Sequence, residues 1–231
     1  MQFETNVQEI IRRNNNVRSF RFYRPAKFEY KPGQCLLITI HINGKEAKKY
    51  FTISSSPTQK TFLEFTQKLT GNKFSNALEN LKKGDWTRID GPFGNFSFDG
   101  EFKKVGMLIG GIGITPCRSM IRYCMDQKID CNVVLLYSNR TEEDIVFKEE
   151  FDQIHRQNRN IKIVYTLTRA KKQWNGYSRR IDKEMILEEI PDFKERIFFI
   201  FGPPIFVSNM EKILDKINVD KKNIRKENFS G

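Results

Sequence analysis

Leu108-Ile109-Gly110-Gly111-Ile112-Gly113-Ile114-Thr115-Pro116 is the stretch on which the reading of this chain turns. Apolar residues from Val105 run straight into glycines, and a helical pattern follows at once. A parallel strand ending in residues without side chains lets a phosphate approach the free amides that open the next helix. Pro116 suits the first turn of that helix, where a missing N–H costs nothing. The spacing Gly111-x-Gly113-x-x-Pro116 departs from the dinucleotide fingerprint, which closes on a third glycine. Two readings stand for the glycines alone: a phosphate cradle, or a tight strand-to-helix turn that holds nothing.

Outward from this stretch the chain divides by pattern. After Phe102, strands are expected at Lys104–Ile109, Asn132–Tyr137, Ile161–Leu167 and Arg196–Phe201. Helices are expected at Pro116–Gln127, Glu142–Gln157, Asp182–Glu189 and Pro204–Ile217. Such alternation predicts a parallel sheet with right-handed crossovers and ligands at the strands' C-terminal ends. The first hundred residues read instead as short strands between turn signals: Asn14-Asn15-Asn16, Lys31-Pro32-Gly33 and Asn43-Gly44, the last a two-residue hairpin. Gln34–His41 and Lys60–Lys68 are rich in β-branched and aromatic residues, and one helix, Ser75–Lys82, is expected with Ser75 as its cap. The expectation is a two-domain chain: an N-terminal antiparallel β-barrel, 1–100, and a C-terminal α/β parallel-sheet domain, 101–231, divided near Phe98–Lys103.

A second segment, Lys49-Tyr50-Phe51-Thr52-Ile53-Ser54-Ser55-Ser56-Pro57, joins a cation, aromatic rings and four hydroxyls. Alternation along a strand puts Phe51, Ile53 and Ser55 on one face, with Thr52 and Ser54 on the other. It resembles the Arg-x-Tyr-Ser-x-x-Ser flavin motif of the ferredoxin–NADP reductase superfamily. Gly91-Pro92-Phe93-Gly94, the glycine run, Leu136-Tyr137-Ser138-Asn139-Arg140 and Gly202-Pro203-Pro204 resemble that family's further motifs in order, over roughly Phe3 to Gly231. Tyr165-Thr166-Leu167-Thr168-Arg169-Ala170, with Trp174 after it, is similar to the cytochrome b5 reductase branch.

The resemblance implies an enzyme with bound FAD, in which Phe51 lies against the isoalloxazine ring and Thr52 hydrogen-bonds near its N5. Lys49 stands where the family has arginine beside the pyrophosphate, keeping the charge without the bidentate fork. Ser55 completes the motif; Gly71 and Ser75 open the pyrophosphate helix, and Gln67 and Lys68 are further contacts. Gly111, Gly113, Thr115 and Pro116 then receive the nicotinamide nucleotide with Gly202 and Pro203, while Phe201 stands where the family has cysteine. Ser138, Arg140, Thr168 and Arg169 fall where the 2′-phosphate of NADPH binds, and Ser138-Asn139-Arg140 ends its strand without Asp or Glu, so NADP(H) is favoured over NAD(H). The alternative for Arg169 and its neighbours Lys171, Lys172, Arg179 and Arg180 is a solvated loop. Phe229 has two readings: an aromatic gate over the flavin, or the anchor of a final strand.

Composition narrows the partners. The 231 residues carry a formal charge of +12. That charge reads either as a docking face for an acidic redox protein, ferredoxin or flavodoxin, or as compositional bias; nucleic acid fits poorly, because the lysines are dispersed. No apolar run is long enough to span a membrane, no secretory signal is visible, and a cytoplasmic location is expected. Cys35, Cys117, Cys124 and Cys131 are spaced too widely for an iron–sulfur or zinc set, so no metal is expected and electrons should leave to a separate molecule. Two rival activities remain open, reduction of free flavin and service as the electron-transfer subunit of a larger complex. A basic nucleic-acid-binding protein without chemistry is the reading from a different class.

Overall fold

A computed structural model describes residues 1–229. They form two compact units: 1–99 together with 115–129, and 100–114 together with the described residues from 130 onward.

The first unit is an antiparallel sheet built from β1 (Gln2–Arg12), β2 (Val17–Tyr23), β3 (Cys35–Ile42), β4 (Lys45–Thr52), β5 (Phe62–Lys68) and β6 (Trp86–Phe93), in the order β4-β3-β6-β1-β2-β5. It curls until its two edges meet at an antiparallel bridge between Ile53 and Phe65. The β3–β4 hairpin turns on Asn43 and Gly44, at φ 53° and 74°, the left-handed pair that a two-residue hairpin requires. Inside the curl Phe65 stacks against Phe51, Phe20 and Phe22, with ring centroids 4.5, 5.0 and 5.8 Å away. Offset stacks of this kind add to the area they bury, and they lock the register of β2, β4 and β5.

The helix α1 (Lys73–Asn80) follows β5. It starts before Ser75 because Asn72 is its cap: Asn72 Oδ1 accepts from the Ser75 amide at 2.9 Å, and the Ser75 hydroxyl instead accepts from the Thr70 amide at 2.8 Å. Ser75 as cap is therefore corrected to Asn72.

The opposite face of β5 carries Glu64, which is fully buried. Arg118, from the helix α2 (Ile114–Asp126), donates to Glu64 Oε1 at 2.7 Å; Arg21 and Arg13 donate to Oε2 at 2.8 and 3.2 Å; the Ser54 hydroxyl donates to Oε1 at 3.1 Å. Thr66 and Ser19 extend the cluster through hydroxyl contacts of 2.9 and 2.7 Å. Burial alone pushes the Glu64 carboxyl up, but the guanidiniums of Arg118, Arg13 and Arg21 outweigh it and hold the group below its ordinary value. A carboxyl held down in the folded chain stabilises fully above the ordinary range and loses that contribution as pH falls through the lowered value.

The second unit is a parallel sheet of β7 (Lys104–Gly110), β8 (Asn132–Asn139), β9 (Ile161–Leu167), β10 (Ile197–Gly202) and β11 (Ile224–Asn228), ordered β11-β10-β7-β8-β9. The remaining helices are α3 (Lys148–Gln157), α4 (Lys183–Glu189) and α5 (Pro204–Lys216). Leu108, Leu136, Phe198 and Ile200 pack against Met185, Ile186, Val207, Met210 and Leu214 of α4 and α5. Arg196, 5% exposed, donates to the carbonyls of Val105 and Asn132, pinning the starts of three neighbouring strands. The single helix expected at Glu142–Gln157 is broken: a 3₁₀ turn at Glu142–Asp144 is followed by Phe147 at φ 63°, and only then by α3. Ile145, Val146 and Phe147 are all buried, and three consecutive residues cannot share one face of a helix.

Glu64→Gln should lower stability by about 3 kcal/mol at pH 7, since it leaves three guanidiniums without their carboxylate. The difference from the native chain should shrink below the ordinary glutamate range. Urea midpoints at pH 7 and at acid pH measure this; equal midpoints for both proteins at pH 7 would contradict it.

Candidate functional site

The second unit's sheet reverses its strand order between β7 and β10. Ligands of open parallel sheets bind outside the C-terminal ends of strands at such a switch point. Here those ends are Gly110 and Gly202. The 3₁₀ turn Gly111–Gly113 links β7 to α2, and its glycines have different reasons to be glycine. Gly111 adopts φ +54° with open space where a side chain would be. At Gly113 a Cβ would fall 2.6 Å from the Phe201 carbonyl oxygen; at Gly202 it would meet the Phe206 ring at 2.7 Å. Gly111 thus leaves open space at the turn, while Gly113 and Gly202 are needed for close packing. Thr115 and Pro116 sit buried in the first turn of α2.

A cavity of about 430 Å³ opens beside this end of the sheet. Ser138 and Thr168 line it, together with Arg180, Asn209, Lys212 and Lys216, over a floor that includes Phe206, Met210 and Ile213. Three cations and no carboxylate face it. Arg140 and Arg169 do not line it: both are exposed, joined through the Arg169 amide and the Arg140 carbonyl at 2.8 Å. Lys212 and Lys216 were not singled out from the sequence, although a four-residue spacing on α5 places them on one face.

The flavin motif ends β4 rather than continuing it. Residues 51–57 are all buried, so the alternation of Phe51, Ile53 and Ser55 against Thr52 and Ser54 does not hold. Phe51 lies 4.5 Å from Phe65 and 5.8 Å from Phe74. The Ser55 hydroxyl accepts from the Glu64 amide at 3.0 Å and meets the Tyr30 hydroxyl at 3.1 Å. Burial raises the Tyr30 phenol far above its ordinary value, so it stays a donor. Ser54 and Ser55 are thus committed to protein partners. The Thr52 hydroxyl has no partner among the described residues, and Lys49, paired across the ladder with Ile38, is half-buried. Gly71, at φ +77° with open space where a Cβ would lie, precedes the Asn72 cap. Gln67 turns its amide to the Lys68 carbonyl at 2.9 Å. An unpartnered hydroxyl, a cation and an open glycine turn before a helix N-terminus fit a flavin with its pyrophosphate.

Phe229 donates its amide to the Gly202 carbonyl at 2.9 Å and packs edge-on to Phe201 at 6.3 Å, so it covers the end of β10. Phe201 is fully buried and also stacks on Phe199. One acidic group escaped notice in the sequence. Glu227 on β11, beside Phe201, has a buried Oε2 without a hydrogen-bond partner among the described residues, and burial raises its carboxyl above the ordinary value. Nothing in its spacing sets it apart from the neighbouring Arg225 and Lys226.

Comparison with known proteins matches residues 4–98 to the oxidoreductase FAD-binding domain and residues 107–212 to the oxidoreductase NAD-binding domain. The chain belongs to the ferredoxin–NADP reductase superfamily. It is 31% identical over 229 residues to the glycine betaine monooxygenase reductase subunit of Chromohalobacter salexigens, covering 96% of this chain and 62% of that protein. It is 29% identical to NADH-cytochrome b5 reductase 1 of Dictyostelium discoideum, covering 91% of this chain and 76% of that one. Among solved structures, a ferredoxin NADP+ reductase from Neisseria gonorrhoeae with bound FAD and NADP superimposes with a TM-score of 0.84 at 18% identity, over 98% of both chains. That likeness is one of fold. The chain thus spans about three fifths of the length of the betaine monooxygenase reductase subunits it matches. No helix among the described residues is long and apolar enough to cross a membrane.

The two glycines should separate on substitution. Gly113→Ala forces a Cβ into backbone and should cost about 1–3 kcal/mol; Gly111→Ala meets no atom and should cost only the left-handed backbone penalty, about 1–2 kcal/mol. If Gly111 is the cradle, its alanine variant should weaken nucleotide binding more than it lowers the melting temperature. Calorimetric binding and thermal melts of both variants check this, and the reverse ranking would refute the division of roles.

Proposed function

We propose that this chain holds FAD and NADPH and passes hydride from the nucleotide to the flavin. Flavin, when bound, supplies the exchange between a two-electron donor and one-electron acceptors. In this reading Lys49 and the Gly71–Lys73 turn bind the pyrophosphate, Phe51 backs the ring, and Thr52 offers its free hydroxyl to the ring edge. Gly111, Thr115 and Pro116 receive the nucleotide's phosphates, and Phe229 covers the place where nicotinamide arrives. The observation that carries the choice of NADPH is the cavity lined by Ser138, Thr168, Arg180, Lys212 and Lys216. A 2′-phosphate brings about two negative charges and wants cations without nearby carboxylates; an adenosine 2′-hydroxyl would instead call for an Asp or Glu.

For the acceptor, we propose a separate acidic carrier such as ferredoxin or flavodoxin. The excess of lysine and arginine over acidic residues is larger in the first unit than in the second, which supports an attraction centred on the flavin side. The relatives named above serve a monooxygenase and cytochrome b5 by their names, so a subunit role in an oxygenase system is the second reading. All four cysteines are free thiols, which suits the reducing cytoplasm.

Visible spectra test the proposal directly. The purified protein should be yellow, and anaerobic NADPH should bleach it at least tenfold faster than NADH at equal low concentration. Arg180→Ala combined with Lys212→Ala should raise KM for NADPH about tenfold or more while leaving KM for NADH nearly unchanged. A colourless protein that oxidises NADPH only with added flavin would favour the free-flavin reductase reading. Equal rates with both nucleotides would refute the NADPH preference.

A further inference from the structure

The Arg118–Glu64 contact belongs to a longer clamp that nothing in the flavin or nucleotide motifs calls for. Within the first unit, α2 is fastened to the chain segment that directly follows Thr52. Arg118 Nη1 donates to the Ser54 carbonyl at 3.0 Å as well as to Glu64, and Ser119 Oγ donates to the Ser55 carbonyl at 2.7 Å. At the far end of the helix, the Thr58 hydroxyl donates to Asp126, which Arg122 also approaches at 3.4 Å. The segment 54–58 is itself held from its other side: Arg24, 2% exposed, donates to the carbonyls of Pro57 and Gln59 at 2.8 and 2.6 Å. Tyr30 donates to the Ser55 carbonyl at 3.0 Å. Carbonyls 54, 55, 57 and 59 lie in an irregular stretch, buried as far as Pro57, where no strand ladder satisfies them, so these side chains do so.

We propose that Arg118 and Ser119 are positioning residues for hydride transfer, fixing the first turn of α2 in register with the flavin-motif segment Thr52–Ser55. This rests on the flavoenzyme reading above and deepens it. Thr115 and Pro116, three and two residues before Arg118, are the nucleotide candidates on that turn; Thr52, two residues before Ser54, is the flavin candidate. A helix turn is rigid, so a lock at 118–119 transmits directly to 115–116. The bond to Glu64 makes the lock stiff: the carboxylate is out of water, and Arg118 is one of three guanidiniums held on it. Reaction rates depend steeply on such register, since a misplacement of about 1 Å can cost roughly 100-fold.

The test compares the native chain with Arg118→Ala, Arg118→Lys and Ser119→Ala. Ser119→Ala leaves no charge behind and covers the case in which Arg118→Ala fails to fold. Anaerobic stopped-flow with saturating NADPH should give a limiting rate of flavin bleaching 10- to 100-fold lower in Arg118→Ala and several-fold lower in Ser119→Ala, with partial recovery in Arg118→Lys. Flavin content, the visible spectrum and reduction by dithionite should be unchanged. Hydrogen–deuterium exchange of the flavin-free protein should show the amides of 117–120 exchanging about tenfold faster in both alanine variants, with β1 and β6 unaffected. Native limiting rates in the alanine variants, or faster exchange spread evenly over the whole first unit, would overturn the proposal. If NADPH and NADH both fail to bleach the native protein, the flavoenzyme reading falls and this inference with it. Bleaching of native and variants alike removes this inference alone.

Discussion

A carboxylate sealed away from water is tolerable only if it is answered by charge, and Glu64 is answered by Arg13, Arg21 and Arg118 at once. These three side chains come from the end of β1, from β2 and from α2, which are far apart in sequence. Their convergence sets where β5 lies against β2, where the flavin-motif segment must run to supply Ser54, and where α2 begins. Hydrophobic burial under Phe65 drives the first unit to close, but it is indifferent to small slips of one element along another. The polar cluster is not, because each misplaced donor would leave a buried charge short of a partner.

The second unit reaches precision by different means. Its sheet is held by parallel ladders and an apolar core, and the fine geometry at the switch point comes from absent side chains. Gly110 and Gly202 admit Phe206 against bare backbone, and Gly113 lets the turn touch the Phe201 carbonyl. Phe201, in place of the family's cysteine, turns its ring into the layer formed by Phe199 and Phe229 and so belongs to the packing of the sheet end.

Much of this was legible in the sequence, and the reasons are specific. Apart from the helix expected at Glu142–Gln157, the β-α alternation after Phe102 placed the expected helices and strands to within about two residues, because apolar runs of parallel strands and Pro116 or Pro204 at helix starts are strong local signals. Asn43-Gly44 marked its hairpin for the same reason. What was not legible depended on contacts across the chain. The buried run Ile145-Val146-Phe147 breaks a helix that periodicity would have continued. Arg118 and Glu64 look like ordinary surface charges until the fold brings them together. In the candidate nucleotide site, Ser138 and Thr168 were visible as motif members, while Lys212 and Lys216 became relevant only once α5 was seen to wall the same cavity.

The interleaving of the two units along the chain carries one more consequence. The segment 115–129, which carries nearly all of α2, is encoded after the first strand of the parallel sheet, yet it belongs with the antiparallel barrel. A cut near residue 100 would therefore separate the barrel from one of the three guanidiniums that satisfy its buried acid. Recombination that exchanges nucleotide modules among related reductases would work best if this helix travels with the barrel, or if donor and recipient share the same arginine–glutamate match. The seam along which such proteins can be shuffled is thus not the seam that sequence motifs suggest.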